Sequence, residues 1–291
     1  MTNGMIVLLW VAVGFYAVSA VAFVITAVFG LKRLLIPAIA ISAVGLIPHG
    51  AAMILRWIMV GHAPYLGFFE IISLLVLFGV IGLLILTLYK RSLALVGVVI
   101  MPLAFLLLGG ATLAPKSAIP ITPSLASYWL GIHVAFAQLS FTAFFVAFAL
   151  GIFYLIQDNR EKKQLPVGAD GSNKTSAPAG LWARLPKLPL LDNLIFRLTA
   201  VGFILWTIMI ISGAIWANQS WGRYWSWDPI EVWSLIAWIV YAIYLHLRLT
   251  MHWRGKKSAI YVVAAMLVVA FAFVGVPFVY NSIHAAYLSF G

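Results

Sequence analysis

The chain has no cysteine. That absence excludes a disulfide framework, a thiol relay, an iron–sulfur centre and a thiolate-ligated haem, whichever compartment the loops face. Charge is also scarce: 9% of the 291 residues are Asp, Glu, Lys or Arg, and only 7 are acids. With 64% hydrophobic residues the sequence reads as an all-α polytopic membrane protein, since so few charges cannot cover a soluble domain of this size. A net charge of +11 would point to nucleic acid in a soluble protein. Here the basic residues sit in short loops between apolar runs, where they set topology, so nucleic acid is not an expected partner. With thiolates absent, histidine is the strongest transition-metal ligand available, and there are 6.

Eight spans fit the hydropathy, at about 5–29, 34–59, 69–89, 93–113, 128–156, 191–216, 230–249 and 258–280. Their connections alternate in charge. The stretches around Lys32 and Arg33, around Lys90 and Arg91, residues 157–190, and "LRLTMHWRGKK" are basic, whereas the intervening connections carry almost no Lys or Arg. The positive-inside rule therefore predicts both termini on the outer (periplasmic) side of a cytoplasmic membrane. The first span is too long for a signal-peptide core and lacks a basic leader, so it is expected to be retained. Residues 157–190 are rich in Pro, Gly, Ser and Lys without periodicity, which predicts a flexible cytoplasmic loop inside a single membrane-embedded domain, 1–291.

One stretch stands apart: "WGRYWSWDPIEVW", Trp221 to Trp233. Trp216, Trp221, Trp225, Trp227, Trp233 and Trp238 are half of the 12 tryptophans, all near one expected membrane face. An interfacial aromatic belt accounts for two or three of them. Asp228, Pro229 and Glu231 also read as a helix start: an N-cap, a proline at the first helical position and an acid completing a capping box. Beyond these roles, clustered indoles form an external platform suited to a large planar ligand with a polar edge. On the residues alone, haem, quinone and other polycycles all fit.

The run "GAIWANQSWGRYWSWDPIEVWSLIAWIVYAIYLHLR", Gly213 to Arg248, resembles the tryptophan-rich WWD signature of the haem-handling superfamily. Within it the likeness is greatest to the CcsA/ResC-type cytochrome c assembly proteins of maturation system II. "LRWIMVGHAPYLGFFE", "WLGIHVAFAQLSF" and "YNSIHAAY" agree with the same family, so the likeness extends over most of the chain. The run departs from the family pattern at Ile230, usually lysine, and at Arg223, usually small. The resemblance implies haem b (iron protoporphyrin IX) as bound substrate, on a surface made by the external segment 216–231: Trp216, Trp221, Arg223, Trp225, Trp227, Asp228, Glu231 and Trp233. It implies His133 and His284 as the two axial ligands there, and His246 as a ligand of a second, intramembrane haem. The implied partners are a ResB/CcsB-type membrane protein and apocytochromes c bearing a Cys-x-x-Cys-His motif. The implied activity is haem transport, presentation and attachment as a subunit of a holocytochrome c synthetase.

Depth along the spans agrees with that division. His133 falls about five residues into the fifth span, roughly 8 Å below the outer surface at 1.5 Å per residue. His246 lies about fifteen residues past Glu231, roughly 22 Å inward, where an ionisable residue is a functional candidate. Arg248 and Arg254 nearby are candidates for propionate contacts, although topology alone also places them. His49 differs from His246 in depth by roughly 14 Å, too far for one iron, so the second inner ligand is expected from another chain. His49, beside Pro48, reads as a packed or hydrogen-bonded residue, His62 as outer-site support and His252 as solvated. Three rival readings remain: a system I-type haem handler, a b-type cytochrome passing electrons to quinone, and a haem-sensing membrane protein. A b-type cytochrome predicts two histidine pairs at matched depths, which the sequence does not offer.

Overall fold

The structure is a computed structural model and describes residues 3–113, 122–164, 186–280 and 282. Helices account for nearly all of them. They are α1 (Asn3–Phe29), α2 (Leu35–Val60), α3 (Phe68–Tyr89), α4 (Gly97–Leu113), α5 (Tyr128–Gln164), α6 (Leu188–Trp221), α7 (Pro229–Leu249) and α8 (Lys256–Ala270). A π-turn, Phe271–Gly275, follows α8 and leads into the short α9, Val276–Val279. Among the described residues, 8 helical stretches are long and apolar enough to cross a bilayer, as the hydropathy predicts. Helix is the outcome physics dictates for such segments, because it satisfies every backbone N–H and C=O where no water is available to do so.

The helices form two groups. α1, α2, α3 and α4 pack together, α5 packs most extensively on α6 and also on α8, and α3 joins the groups by lying against α5. Isoleucines 36, 47, 54 and 58 and Leu88 are exposed, as a lipid-facing surface requires. Small residues permit the closest approaches. At Gly202 a Cβ would come within 2.6 Å of the Phe144 ring, which itself lies flat on Tyr241 at 3.8 Å between centroids.

Several boundaries differ from the sequence expectation. α5 continues to Gln164, past the expected end at 156, and α6 begins at Leu188. The extra turns of α5 are held by pairs one turn apart: Gln157 Nε2 donates to Glu161 at 3.0 Å, and Lys162 pairs with Asp158 at 2.7 Å. The loop expected over 157–190 is therefore helical at both ends, and its middle, 165–185, lies outside the described residues. Likewise the start of the external segment, 216–221, is the last turn of α6, which stops at Gly222 in the left-handed conformation (φ 71°).

The eighth span is interrupted. Pro277 has no N–H for the carbonyl four residues back, and the ladder relaxes into the π-turn before it. This brings Ala272 and Phe273 to the cavity described below, and Phe271 against Trp233 at 4.5 Å.

Several buried polar groups are paired across helices. His49 accepts from the Tyr16 hydroxyl at Nδ1 (3.1 Å) and donates from Nε2 to Ser73 Oγ (2.9 Å), whose own proton goes to Met53 Sδ (3.1 Å). Both ring nitrogens are thus engaged, in agreement with the packed role expected of it. Arg56 Nε meets Glu70 Oε1 at 2.7 Å with both side chains almost wholly buried, and Glu70 Oε2 accepts from the Leu66 and Gly67 amides. One carboxylate thereby ties α2, α3 and the turn between them. Glu70→Ala removes the buried counter-charge beside Arg56 and is expected to lower stability by about 3–5 kcal/mol, whereas Lys162→Ala, at a pair whose lysine is exposed, should change it by less than about 1 kcal/mol. Unfolding of both purified variants in detergent checks this, and equal effects would remove Glu70 from its tying role.

Candidate functional site

The connection from α6 to α7 is built on one carboxylate. Glu231 accepts from the Ser226 amide (2.8 Å), the Ser226 hydroxyl (3.1 Å) and the Asp228 amide (3.2 Å). Asp228 caps α7 by accepting from the Ile230 amide at 3.1 Å, with Pro229 at the first helical position. The capping box read from the sequence is present. Asp228 has a second bond: Ser282 donates to its Oδ1 at 2.6 Å, tying the chain beyond α9 to this turn.

Beside the turn is a cavity of about 190 Å³ walled by α5, α6, the start of α7, the π-turn and the loop before α3. Its lining is mostly apolar, and neither Lys nor Arg lines it among the described residues. His133, in the second turn of α5, reaches into it between Val134 and Gly213. His133 Nδ1 lies 2.8 Å from the Met209 carbonyl oxygen on α6. A carbonyl can only accept, so Nδ1 carries the ring proton and the lone pair sits on Nε2. Trp216 lies nearly parallel to the imidazole, 6.3 Å away at 26°. It is fixed in turn by its own N–H, which donates to Ser124 O at 2.8 Å, and by Trp221 at 4.9 Å.

Two further polar atoms on the wall are buried without a hydrogen-bond partner among the described residues: Gln138 Oε1 and Trp225 Nε1. Gln138 is oriented by its amide, which donates to Ile71 O at 3.1 Å. Tyr65, on the opposite wall, has its phenol pushed above its usual pKa by burial and by the Glu70 carboxylate, so it stays a neutral donor.

Of the sequence-predicted site residues, the structure gathers His133, Trp216, Trp225 and Glu231 on this cavity. The remaining tryptophans do not share one face. Trp221 stands behind Trp216, and Trp233 packs on Phe271. Trp227 is 71% exposed and meets only the edge of Trp225, 6.0 Å between centroids. Arg223 is exposed at the turn. His284 lies outside the described residues. His62 is buried in the loop before α3, its Nδ1 on Ala63 O at 2.9 Å.

His246 is at the other end of α7, exposed on the helix surface, with Nδ1 3.4 Å from Thr250 Oγ1. Nearby, Arg248 grips both oxygens of Asp192 (2.9 and 2.6 Å) and donates to Trp253 O, so its fork is spent on the loop and not open to a ligand carboxylate. Arg254 and His252 line an open cleft beside it. Sequence reasoning passed over Gly213, Gln138 and Tyr65. The signal for Gly213 was the small run Ser212-Gly213-Ala214 inside an otherwise bulky helix.

Eight membrane-length helices among the described residues, with an apolar cavity lined by His133 at a tryptophan-rich turn, define a multi-pass membrane protein. The cytochrome C assembly protein family model matches residues 65–284, and the chain belongs to that family. It is 36% identical over 243 residues to cytochrome c biogenesis protein CcsA of Guillardia theta, covering 79% of this chain and 78% of the relative. It is 33% identical over 269 residues to the CcsA of Synechococcus sp. (strain CC9605), covering 88% and 86%. Among solved structures, the cytochrome c haem lyase CcmF superposes with a TM-score of 0.65 at 18% identity. That match covers 94% of this chain and 49% of CcmF, so the likeness is one of fold over about half of the larger protein.

Trp227 occupies left-handed backbone (φ 59°), a strained conformation for a bulky residue, while burying little. Trp227→Gly is therefore expected to leave thermal stability unchanged or raise it by about 1 kcal/mol, whereas Trp216→Ala should cost about 3–5 kcal/mol. Melting curves in detergent decide it. Comparable losses in both would give Trp227 a folding role.

Proposed function

We propose that this chain presents haem b at the cavity beside the tryptophan turn and, with a ResB/CcsB-type membrane partner, attaches it to apocytochrome c. The observation that carries the reading is His133. Its Nδ1–H is held by a backbone carbonyl, which is how a metal-binding imidazole is fixed in tautomer and orientation. His284 is the second axial ligand in this reading, and the bond from Ser282 to Asp228 supports it by anchoring the chain two positions earlier at the same turn. Bis-histidine ligation suits a chain without cysteine.

The cavity's 190 Å³ is small beside the roughly 300–1,000 Å³ of pockets that enclose whole ligands. A macrocycle would enter by part of its body and leave an edge outside. Trp225 and Trp216 line the cavity, and in this reading the exposed Trp227, whose ring meets Trp225, covers the remainder. The chemistry asks for little beyond position: each cysteine thiol adds across a vinyl double bond, sulfur to one carbon and the proton to the other, with no net oxidation. Glu231 and Asp228 act by building the turn.

His246 is the inner ligand. Its place on the outer surface of α7 suits an iron shared with a histidine of the partner, and His49 is already engaged on both nitrogens. Haem enters at His246 and crosses to the outer site. Both termini and the cavity face the periplasm across the cytoplasmic membrane.

Two outcomes test this. Reporter fusions at Lys90, Lys174 and Gly255 are expected to signal the cytoplasm and fusions at Lys116 and Gly291 the outside, and the reverse pattern would invert the site. In the partnered complex, His246→Ala is expected to lower haem at both sites and His133→Ala to deplete only the outer one, as read from haem content and reduced spectra. Full outer-site haem in His246→Ala would end the relay, though not the outer site.

A further inference from the structure

We propose that Gly213, with the Met209 carbonyl, forms a slot in α6 that sets the tautomer and angle of His133 before any ligand arrives. The inference rests on the haem reading of the cavity for its consequence, but not for its geometry. Met209, Gly213 and Trp216 are spaced four and three residues apart and so lie on one face of α6. The imidazole of His133 lies on that face. Its Nδ1 is bonded to the Met209 oxygen (2.8 Å) and its ring is nearly parallel to Trp216.

Only glycine admits the ring so close. A Cβ at position 213 would stand 2.5 Å from Nδ1 and 2.8 Å from Cε1, separations that packed atoms do not adopt. To clear such a Cβ the ring must move away from α6 and so off the Met209 carbonyl, while Trp216 on the same face is held by Ser124 and Trp221. The Met209 carbonyl is also drawn on by Ser212 Oγ (3.0 Å), which donates to Ile208 O as well (2.7 Å). A hydroxyl bonding back one turn tilts a helical carbonyl off the axis, here alongside the one bonded to His133. Gly213 is thus a positioning residue: it acts through His133, by letting the imidazole reach a backbone acceptor.

The consequence is preorganisation. An imidazole ordered during folding loses no rotamer freedom when iron binds, and its Nδ1–H···O=C bond raises the basicity of Nε2. A glycine present only for helix packing would have no such effect, so the test needs readouts that packing alone does not move.

The full chain, co-purified with its partner, is compared as wild type and Gly213→Ala. In haem-free protein carrying ¹⁵N-histidine, the wild type is expected to show His133 protonated at Nδ1, assigned by loss of the signal in His133→Asn, and Gly213→Ala to lose that pattern. With haem, Gly213→Ala should lose low-spin character at the outer site, weaken haem retention roughly ten- to a hundred-fold, and recover the low-spin spectrum when free imidazole is added. Haem at the His246 site should be unchanged. An unaltered tautomer and low-spin spectrum in Gly213→Ala would overturn the slot. If that variant does not fold, the wild-type tautomer decides, and a proton on Nε2 refutes the proposal. Should the wild type hold no His133-dependent haem, the haem reading fails, while the tautomer measurement still judges the slot.

Discussion

Hydrocarbon cannot solvate a polar group, and every feature of this molecule answers to that constraint. It makes the spans helical and leaves aliphatic residues such as Ile47 and Ile58 facing outward. It also explains how buried polar side chains are paired. Tyr16, His49, Ser73 and Met53 form a one-way chain of donors and acceptors through α1, α2 and α3, and Arg56 and Glu70 neutralise each other. At the far end of the bundle, Arg248 and Asp192 do the same.

The cavity wall leaves two polar atoms unmatched. Gln138 Oε1 and Trp225 Nε1 are buried there without a partner among the described residues, each costing on the order of 1–3 kcal/mol. Five other buried polar side-chain atoms are unpaired among the described residues, Tyr241 Oη and Thr199 Oγ1 among them, so what marks the cavity is that two such atoms and the carbonyl-bound His133 share one wall. The proposed ligand site rests on that juxtaposition of unpaired polar atoms and a fixed imidazole.

The two ends of the molecule use their charged groups differently. At the tryptophan end, the Asp228 and Glu231 carboxylates are absorbed by backbone amides and hydroxyls, so they shape a turn without presenting free charge to the cavity. At the other end, Asp192 gathers Arg248 and the Gly255 amide, holding rigid the loop that follows α7. His246, two residues before Arg248, is left on the helix surface and not drawn into that network. One end thus carries an apolar cavity, and the other a histidine exposed on its helix.

Much of this was legible in the residues. Long apolar runs dictate membrane helices by length alone, and Asp228-Pro229-x-Glu231 dictates a helix start through local bonds, so both were read correctly without tertiary information. His49's packed role followed from depth, which a fixed rise per residue supplies. The polar ends of α5 and α6 were mistaken for loop because composition does not register pairs such as Lys162–Asp158 one turn apart. What sequence could not decide was which tryptophans share a surface. Trp216 and Trp225 reach the cavity while Trp233 turns to Phe271, because facing depends on the π-turn at Phe271–Gly275 and on the crossing of α5 and α6. Nor could it show that Gly213 lies under His133. Those residues are far apart in the chain, and their contact exists only because two helices pack closely enough for a ring to touch a backbone.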